Sequence, residues 1–157
     1  MTEVIKNIEK ITFDDYGGNA ENFWQRTKDH DVSQNYDAFL EPFGNRTGLD
    51  ILDFGCGPGR DIEYFKSLGH NPVGLDGTLQ FSEMARELTS CAVLHQSFNY
   101  LTLEENSFDG VFANASMFHV PSQNLDKVLN DLHFALRSGG ILFTSSPRGN
   151  EEGWSSP

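Results

Sequence analysis

The chain reads as an α/β protein with a doubly wound parallel sheet, and three observations predict it. Short β-prone runs alternate with helical stretches from residue 49 onward. A glycine loop, Gly55-Cys56-Gly57-Pro58-Gly59, joins the first run to the helix that follows it. An acid, Asp76, ends the second run at about the 20-residue separation that ribose recognition requires. Parallel strands with right-handed crossovers then give the order 3-2-1-4-5, a Rossmann-like sheet.

The elements follow in order. The N-terminal segment is helical, with helices expected over 20–28 and 33–43 before Pro42, Gly44 and Gly48 break the run. Strand one is Leu49 to Phe54, and Arg60 to Leu68 is the next helix, with Gly69 in the position that closes a helix C-terminus. Strand two is Asn71 to Asp76, and Thr78 is placed to cap a helix ending near Leu88. Ala92 to His95 is a short third strand and Phe108 to Asn114 the fourth. Leu125, Val128, Leu129, Leu132 and Leu136 recur at helical spacing from Ser122, giving one apolar face. Gly139-Gly140 is expected to stop that helix, and Ile141 to Ser145 is strand five. Residues 1–48 are expected to form a helical lid and 49–157 the α/β core of a single domain.

The loop carries the chemistry. Its spacing is G-x-G-x-G, and Arg60 stands where a dinucleotide fingerprint has its third glycine. Asp53, two residues before the loop, would repel a pyrophosphate but attract a ligand with an ammonium and a sulfonium. S-adenosylmethionine fits that description. Asp53-Phe54-Gly55-Cys56-Gly57-Pro58-Gly59 resembles the D-x-G-x-G-x-G loop of the class I S-adenosylmethionine-dependent methyltransferases. Val73 to Asp76, Phe108 to Asn114 and Leu136 to Leu142 resemble that family's second strand, fourth strand and helix-to-fifth-strand corner.

The resemblance implies S-adenosylmethionine as cofactor, S-adenosylhomocysteine as product, and a set of binding residues. Asp53, Gly55, Cys56 and Gly57 belong to the loop, and Asp76 with Gly77 to the ribose site. Ser97 and Phe98 stand where many relatives place an acid for the adenine amino group, and Asn114 where backbone faces the methionine moiety. Asn19 to Thr27 resembles the lead-in helix of small-molecule methyltransferases, with Arg26 set to pair with the methionine carboxylate. His119 is the candidate catalytic base. In-line displacement at a sulfonium otherwise asks mainly for alignment, which can contribute on the order of 7–11 kcal/mol.

Composition narrows the partners. A net charge of −12 leaves no basic patch, so a small-molecule substrate is expected and nucleic acid is not. No apolar run approaches ~18 residues, and Met1-Thr2-Glu3 begins no signal peptide, so a soluble, cytoplasmic protein without membrane partners is expected. Cys56 and Cys91 lack metal-ligand spacing, and no metal is expected. The stretches 53–61, 112–123 and 147–154 resemble the C-terminal methyltransferase domain of ovothiol-biosynthesis enzymes, which implies methylation of a mercaptohistidine-type ring nitrogen.

The chain departs from the family pattern after strand five, where relatives carry a further helix and strands six and seven. Strand five is therefore expected to be an open edge, and pairing of two copies through Ile141 to Ser145 to give a homodimer. The same departure keeps a non-catalytic or truncated cofactor-binding module as the alternative. A nicotinamide-dependent oxidoreductase is a third reading, opposed by Arg60 and Asp53.

Overall fold

The computed structural model describes residues 2–149. Five parallel strands, β1 (Asp50–Phe54), β2 (Asn71–Asp76), β3 (Val93–His95), β4 (Phe108–Asn114) and β5 (Leu136–Ser145), lie in the order β3-β2-β1-β4-β5. Around them run α1 (Glu3–Gly18), α2 (Ala20–Thr27), α3 (Ser33–Leu40), α4 (Arg60–Ser67), α5 (Leu79–Thr89) and α6 (Ser122–Ala135). The predicted class and strand order are those observed.

Both sheet faces are apolar, as a parallel sheet covered on two sides requires. Side chains alternate along each strand. Leu52 and Phe54 of β1 join Val111 and Ala113 of β4 beneath Val128, Leu132 and Ala135 of α6. Ile51 and Phe112 point the other way, into Tyr36 and Phe39 of α3 and Phe65 of α4. Truncating one fully buried phenylalanine such as Phe39 or Phe112 to alanine would cost roughly 3–5 kcal/mol.

Three departures from the sequence reading matter for the site. The first is α1, sixteen residues that the chain's apolar runs did not announce as a separate helix; Thr2 caps it by accepting from the Ile5 N–H at 3.4 Å. The second is at the last crossover. The helix stops at Ala135, and β5 begins at once, with Phe108 paired to Leu136 and then Gly110 to Ile141. The Gly139-Gly140 pair therefore forms a bulge inside the strand, Gly139 at φ 76°, and does not end the helix. Third, α3 buries Tyr36 and Phe39 against the sheet, so it is a layer of the core. Only α1 and α2 remain to cover the upper edge. Among the described residues no helix is long and apolar enough to cross a membrane.

Candidate functional site

At the carboxyl ends of the strands, Gly55, Gly57, Asp76, Gly77, Ala115 and Ser116 form the floor of a cavity. Ligands of open α/β sheets bind at this edge, where the strand order reverses between β1 and β4. The roof is α1, which contributes Ile8, Glu9, Thr12, Phe13 and Tyr16, with Phe23 of α2 beside them. The free volume is about 80 Å³, against the ~300–1,000 Å³ of pockets that hold small ligands. A nucleoside-sized guest therefore needs α1 to yield.

The floor is shaped by residues that cannot carry side chains. Gly55 sits at φ 80°, and a Cβ there would meet Ser116 Cβ at 2.4 Å. A Cβ on Gly77 would lie 2.4 Å from the Phe13 ring, so the covering helix rests directly on that backbone. Ala115 holds φ 52° on the same wall, a conformation that a non-glycine residue keeps only where the surroundings impose it.

Asp76 is the hub. Its Oδ2 accepts from the Gly57 N–H at 2.9 Å and its Oδ1 from the Thr78 N–H at 2.8 Å, so one carboxylate ties the glycine loop to the start of α5. Thr78 occupies the expected cap position, but no side-chain cap bond forms there. Burial pushes the Asp76 carboxyl above its ordinary value, against those two bonds. The carboxylate faces the cavity and can accept from the adjacent hydroxyls of a ribose.

Asp53 is buried to 1% exposure, and its Oδ2 has no hydrogen-bond partner among the described residues. Burial, and then the nearby Asp61 charge, hold its carboxyl well above the usual carboxylate range, with Arg60 pulling the other way. Asp61 itself is satisfied: it accepts from the Tyr36 hydroxyl at 2.5 Å and from Arg60 Nε at 2.8 Å. Arg60 also donates to the Thr27 carbonyl at 2.9 Å, fastening the end of α2 to the loop. Such surroundings favour the protonated carboxyl, and a cation brought beside it would favour the ionised form.

At the other side of the cavity Tyr16 and His119 meet, hydroxyl to Nε2 at 3.1 Å with rings edge to face at 5.5 Å. Burial lowers the His119 pKa and raises that of Tyr16. The pair is thus neutral at pH 7, and the phenol donates to Nε2 when the imidazole carries its proton on Nδ1.

Of the residues singled out from the sequence, the fold brings Gly55, Gly57, Asp76, Gly77, Phe98 and His119 to one cavity. Ser97 stands just behind it, its Oγ bonded to the Glu9 carboxylate. Four others are not on its wall: Asp53 is buried at the end of β1 beneath the loop, and three side chains point elsewhere. The Cys56 side chain turns into the core with Ile62, Ala85 and Val93. Asn114 Oδ1 is held by Asn35 at 2.8 Å and Ser145 at 2.7 Å, linking α3 to β5. Arg26 is exposed on α2 and is not on the cavity wall. The stretch from Asn150 to Pro157 lies outside the described residues.

Sequence reasoning missed the five α1 residues that line the cavity. Ile5, Ile8, Thr12 and Tyr16 do recur at spacings of three and four, which is the signal that could have found the helix.

With this geometry, comparison with known proteins is direct. Residues 52–144 match the methyltransferase domain family, more than half of the chain, and the protein belongs to that family. Among curated relatives, the mitochondrial ubiquinone biosynthesis O-methyltransferase of Rattus norvegicus is 33% identical over 109 residues, 64% of this chain and 31% of its own. A malonyl-[acyl-carrier protein] O-methyltransferase of Pseudescherichia vulneris is 28% identical over 119 residues, covering 74% and 47%. The chain thus spans less than half the length of these relatives. Among solved structures, phosphoethanolamine N-methyltransferase 1 of Haemonchus contortus, in complex with phosphoethanolamine and S-adenosylhomocysteine, superposes with a TM-score of 0.74. Identity is 24%, over 92% of this chain and 33% of that one. The 1,6-didemethyltoxoflavin-N1-methyltransferase of Burkholderia thailandensis gives 0.69 at 21% identity, over 84% and 60%. Both share the fold.

Proposed function

We propose that the protein is an S-adenosylmethionine-dependent methyltransferase acting on a small-molecule nucleophile. The observation that carries this reading is the pairing, on one cavity floor, of the Asp76 carboxylate with Gly55 and Gly57 of the loop; the unpartnered Asp53 lies buried at the end of β1, just before that loop. When bound, the cofactor supplies a methyl group on a sulfonium that a nucleophile displaces in line. Asp76 accepts from the ribose hydroxyls, and Asp53 pairs with the ammonium. Gly55 and Gly57 let backbone approach the ligand, and Phe98 packs against the base. His119 takes the proton from a protonated nucleophile in the tautomer whose Nε2–H donates to Tyr16 and whose Nδ1 is free to accept; burial weakens it as a base but keeps it in the neutral form that can accept. Tyr16 orients that imidazole. Arg26 remains a candidate for the methionine carboxylate only if α2 turns when the ligand enters.

The acceptor class is a ring nitrogen of the histidine type, supported by the loop phrases around Asp53 and His119. The net charge of −12 favours a diffusible small substrate over nucleic acid, and a cytoplasmic setting is proposed with it. Calorimetric titration with S-adenosylmethionine, S-adenosylhomocysteine and NAD tests the reading. Binding of the two sulfur ligands without NAD is expected. NAD binding with no response to either would select the oxidoreductase, and tight binding without turnover on any small nucleophile would select the non-catalytic module.

A further inference from the structure

The wall of the cavity beyond Asp76 carries an arrangement that neither the glycine loop nor the methyl-transfer chemistry requires. Along the sheet order β1, β2, β3, the ribose site at the end of β2 puts the attached base over the loop that follows β3. That loop offers Ser97, Phe98 and Asn99, none of them charged. The Phe98 ring stacks on Phe54 at 4.3 Å and gives the base an aromatic surface.

The one carboxylate lining this end comes from α1. Glu9 Oε1 accepts from the Ser97 hydroxyl and from Asn99 Nδ2 at 2.7 Å. Asn99 is 3% exposed and is itself fixed, its Oδ1 taking the Asn124 amide at 2.6 Å and its N–H donating to Ser97 Oγ at 3.1 Å. A chain of donors anchored in α6 therefore holds one oxygen of Glu9 in place. The other, Oε2, has no hydrogen-bond partner among the described residues, although Glu9 lines the cavity beside Phe98.

We propose that Glu9, carried by the covering helix, is the group that reads the base, so that base recognition and closure of α1 are one event. The proposal rests on the cofactor reading above and deepens it. A carboxylate pinned on one side and open on the other accepts from an exocyclic amino group beside an aromatic ring. It rejects a carbonyl oxygen in the same position, because two acceptors then face each other. Adenine presents the amino group, and its deaminated counterpart hypoxanthine presents the carbonyl.

The test is a comparison of S-adenosylhomocysteine with S-inosylhomocysteine, titrated into the full chain and into Glu9→Gln and Glu9→Ala. The parent is expected to prefer the amino ligand by roughly 10- to 100-fold, the worth of one charge-assisted hydrogen bond. Both variants should lose most of that preference. Glu9→Gln should also gain affinity for the inosyl ligand, since its amide can donate to the carbonyl. Hydrogen exchange on the parent gives a readout independent of any variant's folding: the adenosyl ligand should slow the α1 amides more than the inosyl ligand at equal occupancy. An unchanged preference in folded variants, or equal protection of α1 by both ligands, overturns the proposal. Failure of the parent to bind S-adenosylhomocysteine at all would overturn the cofactor reading first.

Discussion

Replacing Asp53 with asparagine should make the ligand-free protein more stable and the liganded one weaker. Asp53 is buried with an oxygen that nothing pairs, and burial holds its carboxyl well above the usual range. The unfolded carboxyl titrates near ~3.9. The folded state therefore binds more protons than the unfolded one as pH rises from that value toward the raised one, and stability falls across that window. Asp53→Asn has no proton to lose and should flatten the fall. The variant removes the charge while its amide stays a buried polar group, so the gain is at most the roughly 1–3 kcal/mol that a buried acceptor without a partner costs. At about 2–4 °C per kcal/mol for a chain of this size, the ligand-free melting temperature at pH 7 should rise by at most roughly 2–12 °C. The same change deletes the partner proposed for the ligand's ammonium, so affinity for S-adenosylhomocysteine should drop by about 10- to 100-fold. Parallel calorimetric scans from pH 5 to 8 and a binding titration read both effects. A variant that melts lower than the parent at neutral pH, or that binds as tightly, would refute the reasoning.

Three further outcomes are expected. Asp76→Ala strands the Gly57 and Thr78 N–H groups and removes the ribose acceptor; it should cost roughly 1.5–3 kcal/mol of binding and lower the melting temperature as well. Normal binding of S-adenosylhomocysteine by that variant would remove Asp76 from the site. His119 has the opposite pH sign from Asp53. Its folded pKa lies below the unfolded ~6.5, so the neutral form is favoured and stability is lost as pH falls through that window. His119→Asn should shrink the loss measured between pH 7.5 and 5.5, where His70 also contributes, and an identical profile would count against it. Finally, β5 is the edge of the described sheet beside β4, and Ile141 to Ser145 holds no Lys, Pro or acid to blunt pairing. We propose edge-to-edge dimers that Leu142→Lys disperses, and a concentration-independent monomer mass for the parent in light scattering would exclude them.

How much of this was legible in the sequence depends on where the information sits. The strands were readable because both faces of a parallel sheet are buried, which leaves short apolar runs between glycine breaks. The floor of the site was readable because a glycine loop and an acid 19 residues beyond it, Gly57 and Asp76, meet across adjacent parallel strands. Which residues reach over the floor was not. Phe13 reaches Gly77, Tyr16 reaches His119 across a sequence separation of 103, and Glu9 reaches Asn99 across 90. Such contacts follow from where a helix docks, and local pattern does not encode that. Asn114 and Cys56 were named for their place on the backbone, and where their side chains go was not legible: the alternation along β4 and the turn after β1 send them to α3 and into the core.

The two ends of the sheet differ in how they treat acids, and the difference bears on function. At the amino ends of the strands, Asp50 and Asp109 are matched by Arg137 at 2.8 and 3.0 Å, with Arg46 adding a third contact at 3.2 Å. The arginines are exposed or half-exposed and each pair is of small individual worth, but both of these acids are met. At the carboxyl ends, Arg60 is committed to Asp61 and Thr27, and Asp53 is left buried without a counter-ion. A fold that satisfies acids freely at one edge of a sheet has no chemical need to strand one at the other. Local rules are broken where function requires it, and the strained Ala115 sits at this same edge. Under the proposed function the positive charge arrives with the ligand's ammonium, beside a carboxyl that burial otherwise holds toward its protonated form. That charge separates a sulfonium-bearing amino acid nucleoside from a dinucleotide, whose pyrophosphate would bring negative charge to an already acidic floor.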